Sequence, residues 1–198
     1  MKRITIIAAL ILAATSVQAQ SLTDALKGIA TAAADKVTGG AVTAAAIVGD
    51  WEYSGPGVKL ASDDTLAEIG GAALAGTIEN KLATAYAMAG IKAGACRFSF
   101  DKENNFTATM GKHSLSGTYE FDGTTHAITL RFAKGKLNLG TMTGYAYISG
   151  SNLDLVFPVD KLVKMVTTLG AKISSLATVT ALLEKYDSVM VGFEFSKQ

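Results

Sequence analysis

The sequence predicts a mainly β domain, an antiparallel sandwich or barrel of short strands with helical insertions. From Cys96 onward, apolar and polar residues alternate with a period of two, which is typical of strands with one buried face. Turn sequences such as Asp122-Gly123 separate these runs at close intervals. Two longer stretches, 62–90 and 160–186, carry their apolar residues at helical spacing instead. Together these patterns predict a meander of strands interrupted by two helical insertions.

The N-terminal segment has the pattern of a secretory signal peptide. Met1-Lys2-Arg3 is cationic, the run 4–14 is apolar, and Val17-Gln18-Ala19 provides small or aliphatic residues at the cleavage site. The apolar run is shorter than the roughly 20 residues needed to span a bilayer, so we expect no membrane span after cleavage. Gln20 stands where a lipid-anchored bacterial protein needs a cysteine. We therefore expect residues 1–19 to be removed from an exported protein, periplasmic or extracellular, without a lipid anchor.

Composition narrows the classes of partner and fold. The 198 residues suit one domain with a hydrophobic core of its own. Loss of Lys2 and Arg3 with the signal peptide changes the formal charge from +1 to −1, and Arg97 and Arg131 are then the remaining arginines. This balance lacks the basic character of a nucleic-acid binder, so we expect no nucleic-acid partner. The single cysteine, Cys96, predicts a buried free thiol rather than an internal disulfide.

The segment 20–48 is predicted to be an N-terminal helix followed by a linker. Ser21 and Asp24 resemble a capping signal for a helix over 21–37, which Gly39-Gly40 would end. Residues 41–48 are expected to be a short flexible stretch.

The barrel or sandwich itself is expected to occupy 49–198. Its first strand runs from Gly49 across Gly55-Pro56-Gly57 to Leu60. Gly140 and Gly144 are interpreted as breaks between strands. The remaining strands are expected at Cys96–Phe100, Phe106–Met110, Leu115–Phe121, Ile128–Phe132, Leu137–Thr143, Tyr145–Ser149, Leu153–Phe157 and Val189–Phe195.

Candidate catalytic and metal-binding residues do not form a recognisable pattern. His113 and His126 each precede a strand and could lie on adjacent strands, but no third ligand at workable spacing accompanies them. Ser54 and Ser116 do not stand in a nucleophile elbow, and Cys96 lacks a histidine base with an orienting group. We therefore expect a protein that is not an enzyme, with no catalytic residues, no metal and no cofactor.

Several segments resemble known proteins. Gly49-Asp50-Trp51 ahead of a β-meander resembles the opening motif of lipocalins and related calycins. Together with 55–60, 115–121 and 186–194, it is similar to an uncharacterised family of exported Bacteroidales proteins with a lipocalin-like domain of unknown function. The resemblance covers essentially all of the chain after the signal peptide.

The resemblance implies a calycin-like antiparallel β-barrel of about eight strands with two helical insertions. Lipocalins usually pack their motif tryptophan against an arginine near the last strand, whereas this last strand carries only Lys197 at its end. The long helical insertions imply that helices cap or fill the barrel.

The apolar interior suggests the main functional hypothesis, a non-enzymatic binding protein of the cell envelope that holds a small hydrophobic or amphipathic ligand. The alternative is a packed-core structural or protein-interaction module of the envelope, with a protein partner and no small-molecule ligand. Tyr145 and Tyr147 share a strand face, and the sequence leaves open whether that face points inward. The candidate ligand-binding residues are Trp51, Tyr53, Phe98, Phe100, Tyr119, Phe121, Tyr145 and Phe193.

Overall fold

Eight antiparallel strands form a closed barrel in which each strand pairs with the next along the chain, and β8 returns to pair with β1. The computed structural model describes residues 41–60, 71–135, 137–171, 176–177, 180–181 and 189–198. The fold predicted by the family resemblance is confirmed. The elements are α1 Ala41–Ala46, β1 Gly49–Leu60, α2 Gly71–Met88, β2 Cys96–Phe100, β3 Asn105–Met110, β4 His113–Asp122, β5 Ala127–Phe132, β6 Thr141–Ser149, β7 Asn152–Phe157, α3 Val159–Thr168 and β8 Val189–Lys197.

The described helices agree in part with the sequence expectations. The predicted helix over 62–90 is represented by α2, and the predicted helical region 160–186 by α3 and by helical residues at 176–177 and 180–181. The signal peptide and the helix over 21–37 lie outside the described residues. No helix of the described residues combines the length and apolar character needed to cross a membrane.

The expectation of a flexible stretch over 41–48 is wrong, because α1 occupies most of it. The alanines of this segment favour helix. Ile47, directly after α1, is buried in the core and anchors the helix to the barrel.

The expectation of two strands over 137–143 and 145–149 is also wrong, because β6 is a single strand that includes Gly144. A Cβ atom at Gly144 would collide with the carbonyl oxygen of Val156 and the ring of Phe157. Glycine therefore allows close approach of β7 within a continuous strand, and it does not end the strand. A Cβ atom at Gly117 in β4 or at Gly192 in β8 would also collide with the backbone of the neighbouring strand.

The lower end of the barrel, where β1 begins and β8 ends, is covered by α1. The indole N–H of Trp51 donates a hydrogen bond to the carbonyl oxygen of Ile47 at 2.7 Å. Lys197 donates hydrogen bonds from Nζ to the carbonyl oxygens of Ala46 and Val48 at 3.1 and 3.3 Å. The first and last strands are thus joined to the helix at this end.

At the upper end, where β1 ends and β8 begins, α2 and α3 complete the core. β1 pairs with β2 only from Gly49 to Glu52, and its remaining length pairs with β8 alone. Helix α2 packs beside β1, with Ile78, Leu82 and Tyr86 fully buried in the same core as the strand residues. On α3, the buried residues are Leu162, Met165 and Val166.

Candidate ligand-binding site

Six of the eight predicted ligand-binding residues point into the barrel and are buried: Trp51, Tyr53, Phe98, Phe100, Tyr119 and Phe193. Phe121 is half-buried and packs against the same core. Tyr145 lies on the outer face of β6, because its neighbour Ala146 is the residue that points into the core. The alternation of the strands therefore brings most, but not all, of the predicted residues together.

The interior aromatic rings are in mutual contact. The ring of Phe98 lies 5.7 Å from that of Phe100, 5.9 Å from Phe106 and 5.5 Å from Phe195. Phe100 in turn contacts Tyr119 edge-to-face at 5.0 Å. These are the centroid distances of packed aromatic pairs. One ring thus follows another across the interior from β8 to β4.

A second group of rings joins the barrel to α2. The ring of Tyr86 lies 4.9 Å from Phe193 and 6.4 Å from Tyr53, and its hydroxyl donates a hydrogen bond to the carbonyl oxygen of Gly192 at 2.8 Å. Burial raises the pKa of both Tyr86 and Tyr53 above the ordinary tyrosine value. The helix therefore fills space beside β1 that would be empty in a barrel with an open end.

Four of the interior aromatic side chains are closely packed on all sides. Trp51, Phe193 and Phe195 have 0 % of their surface accessible, and Phe98 has 1 %. An internal cavity large enough for a water molecule would leave part of these side chains accessible, so the values indicate close packing. The barrel interior is filled by its own side chains at these positions.

Tyr145 belongs instead to an outer cluster on β6. Its ring lies 6.3 Å from that of Tyr147, at an angle of 15°. Tyr147 is also contacted by the His126 ring at 4.9 Å and by the Lys59 ammonium at 4.7 Å from its centre. Lys59 forms an ion pair with Asp154 at 3.8 Å.

An open cleft lies at the upper end of the barrel, between β4 and the segment that follows β5. The pairing of β4 with β5 ends at Gly117 and Phe132, followed by one hydrogen bond from the Ala133 N–H to the Ser116 carbonyl oxygen at 2.8 Å. Beyond this point the two segments separate and enclose a cavity of about 390 Å³. The cavity is lined by Lys112, His113, Ser114, Leu115, Ser116, Phe132, Ala133, Lys134, Gly135 and Leu137.

The cleft combines an apolar floor with a cationic rim. Leu115, Phe132 and Leu137 are half-buried and pack against the core, whereas Lys112 and Lys134 are exposed. Among the described lining residues there is no carboxylate.

Two contacts connect this cleft to the rest of the molecule. The Phe132 ring meets the interior Phe106 edge-to-face at 5.2 Å. Nε2 of His113 lies 3.2 Å from the carbonyl oxygen of Leu169 at the end of α3, and it must carry the proton because a carbonyl only accepts. The cleft thus adjoins both the interior ring cluster and α3.

A smaller cavity of about 330 Å³ lies near the start of β2, beside Cys96. The thiol is buried, burial raises its pKa, and the Gly111 N–H donates a hydrogen bond to Sγ at 3.3 Å. The predicted buried free thiol is confirmed. The rim of this cavity carries opposite charges, because Arg97 and Glu52 form an ion pair at 3.5 Å.

The two histidines lie at opposite ends of the barrel. His113 begins β4 at the upper end, and His126 precedes β5 at the lower end. Among the residues that the structure describes, no group of three or more His, Cys, Asp and Glu side chains is placed to hold a metal ion.

The cleft residues were missed at the sequence level. Leu115 and Phe132 alternate like any core residue, and nothing in that pattern marks where β4 and β5 separate. Only the cluster Lys134-Gly135, which is polar after an apolar strand, marks the adjoining loop.

The sequence matches a known protein family over most of its length. The family model described as "Lipocalin-like domain (DUF4923)" matches residues 22–197. The chain belongs to this lipocalin-like family. DUF4923 is a domain of unknown function, as the sequence resemblance indicated, so membership brings the fold and no activity.

A solved structure also matches this DUF4923 domain. It is a DUF4847 family protein from Bacteroides vulgatus, 12 % identical, with 77 % of this chain and 95 % of that chain covered and a TM-score of 0.36. The comparison with curated proteins found no match.

Proposed function

We propose that this lipocalin-like domain is a non-enzymatic binding protein of the cell envelope that holds a small amphipathic molecule in the cleft between β4 and the residues Ala133, Lys134, Gly135 and Leu137. The observation that supports this is the cavity of about 390 Å³ with a floor of half-buried apolar side chains. The volume lies within the range of about 300–1,000 Å³ that is usual for preformed ligand sites, and the lining mixes apolar residues with lysine, serine and histidine. The signal-peptide pattern of residues 1–19 supports the envelope assignment.

In this proposal the packed interior supports the site and does not contain the ligand. Phe132 lines the cleft and contacts Phe106, so the floor rests on the interior ring cluster. Displacing the buried rings of Phe98 or Phe193 would cost several kcal/mol each, roughly the effect of removing such a side chain. A molecule that occupies the existing cleft avoids this cost. The sequence-based assignment of the interior residues to ligand binding stays a prediction.

Octanol is a suitable neutral probe, and its binding can be followed by the NMR shifts of the methyl groups of Leu115 and Leu137. We expect Phe132→Leu to weaken octanol binding, because it removes part of the floor. Phe121→Leu is the matched control: Phe121 is also half-buried and packs on the core, but it lies toward the other end of β4. Absence of octanol-induced shifts, or equal weakening by both variants, would contradict the proposal.

The filled interior supports a second candidate function, a packed-core module that docks a protein partner. The continuous contacts among Phe98, Phe100, Phe106 and Phe195 support this candidate. Native extraction separates the two, because mass spectrometry of the purified protein recovers a small amphipathic molecule in the first case. In the second case it recovers none, and a protein partner co-purifies in constant proportion.

A further inference from the structure

We propose that the ligand of the cleft carries an anionic head group, held between Lys112 and Lys134, with its apolar part on the floor formed by Leu115, Phe132 and Leu137. The inference rests on the proposed binding function of the same cleft. It names the class of ligand, an amphipathic anion.

The two lysines line the cleft from different segments of the chain. Lys112 lies in the turn between β3 and β4, whereas Lys134 lies in the segment after β5. An anion near the rim would therefore meet cations from both segments while its chain covers apolar surface.

The charge of these lysines is not used elsewhere in the described part of the chain. The ion pairs found there engage Lys59, Arg97, Arg131 and Lys161, each with a carboxylate. Neither Lys112 nor Lys134 takes part in one, and the described cleft lining holds no carboxylate to neutralise them. The rim therefore has an unbalanced positive charge that a ligand anion would complement.

His113 follows Lys112 in the chain and also lines the cleft. Its Nε2–H is engaged by the Leu169 carbonyl oxygen at 3.2 Å, which fixes the ring against the end of α3. The imidazole is thereby held at the cleft wall, beside the position proposed for the head group.

The test compares three probes of eight carbon atoms each, namely octanoate, octanol and octylamine, at pH 7.5 and low salt. We expect octanoate to bind roughly three- to tenfold more tightly than octanol, since exposed ion pairs each add a modest increment. We expect octylamine to bind more weakly than octanol. Salt at 0.5 M should reduce the octanoate advantage, because the Debye length is then well below 10 Å.

A double variant, Lys112→Gln with Lys134→Gln, should remove the octanoate advantage and leave octanol affinity unchanged. The control is Lys92→Gln with Lys102→Gln, which removes the same charge from exposed lysines outside the cleft lining. The control should keep the advantage. Equal affinity of octanoate and octanol, or equal loss in the two double variants, would overturn the anionic ligand and leave cleft binding intact. Failure of octanol and octanoate alike would overturn the binding function itself.

Discussion

The ammonium group of Lys197, at the end of the last strand, lies 5.0 Å from the centre of the Trp51 ring in the first strand. The same group donates hydrogen bonds to the carbonyl oxygens of Ala46 and Val48. Lysine thus occupies the role that the lipocalin resemblance assigns to an arginine, namely a cation packed on the motif tryptophan. One side chain thereby joins β8, β1 and the end of α1.

Replacing Lys197 with methionine should lower the free energy of unfolding by about 1 kcal/mol, because a cation–π contact and charge-assisted hydrogen bonds are lost. Lys197→Arg should retain most of the stability, since the guanidinium also stacks on tryptophan. Urea denaturation measures both. Lys102→Met, at an exposed turn, is the control and should change stability little. Equal effects of the Lys197 and Lys102 substitutions would show that the contact contributes nothing.

Gly144→Ala should destabilise the barrel by more than about 2 kcal/mol, because the added methyl group would collide with the Val156 backbone and the Phe157 ring. Gly76→Ala is the opposite case. Gly76 lies within α2 with nothing within 4 Å of an added Cβ, and alanine should stabilise that helix by about 0.5–1 kcal/mol. Thermal unfolding of the two variants should show shifts of opposite sign. A stable Gly144→Ala protein would contradict the close approach of β6 and β7.

Gly144 separates what the sequence pattern predicts about the barrel from what it does not predict. Alternation correctly places Phe98 and Phe100 in the interior, and the first strand was correctly predicted to cross Gly55-Pro56-Gly57. A glycine that permits close strand approach and a glycine that ends a strand look alike in sequence. The expectation that Gly144 ends a strand is therefore wrong, since the difference depends on the Val156 backbone across the sheet.

The candidate site was less predictable for a related reason. Tyr145 and Tyr147 could have faced either way, and burial of Ala146 and Met142 decides that they face outward. The cleft arises where the pairing of β4 and β5 ends, which is a property of three-dimensional register. Periodicity identifies Phe132 as a core residue but cannot show that it also lines an opening.

Stability should depend on pH through two carboxyl groups on neighbouring strands. Asp154 and Glu194 are directly opposite each other in the β7–β8 register. Burial raises the pKa of both carboxyl groups, and repulsion by Asp154 raises the pKa of Glu194 further. A raised folded-state pKa means that the folded protein binds the proton more tightly. Their contribution is therefore fully present at low pH and is lost as pH rises from the ordinary carboxyl range through the raised values.

Glu194→Gln should therefore raise the free energy of unfolding at pH 7 relative to the parent protein and reduce the difference toward pH 4. The difference between the two proteins is the relevant quantity, because Asp101 and Asp122 have lowered pKa values and act in the opposite sense. Urea denaturation across this pH range measures it. Glu103→Gln, in the exposed β2–β3 turn, is the control. A Glu194→Gln protein that is less stable at pH 7 than at pH 4, relative to the parent, would contradict this assignment.

Binding of a small amphipathic anion in the cleft, and not within the barrel, can be distinguished by the residues that the bound molecule contacts. Intermolecular NOEs between octanoate and the leucine methyl groups test it most directly. We expect NOEs from the alkyl chain to Leu115 and Leu137, and none to the fully buried interior residues Leu153 and Leu155. NOEs to Leu153 or Leu155 would contradict it, and would show that the ligand displaces the interior rings and enters the barrel.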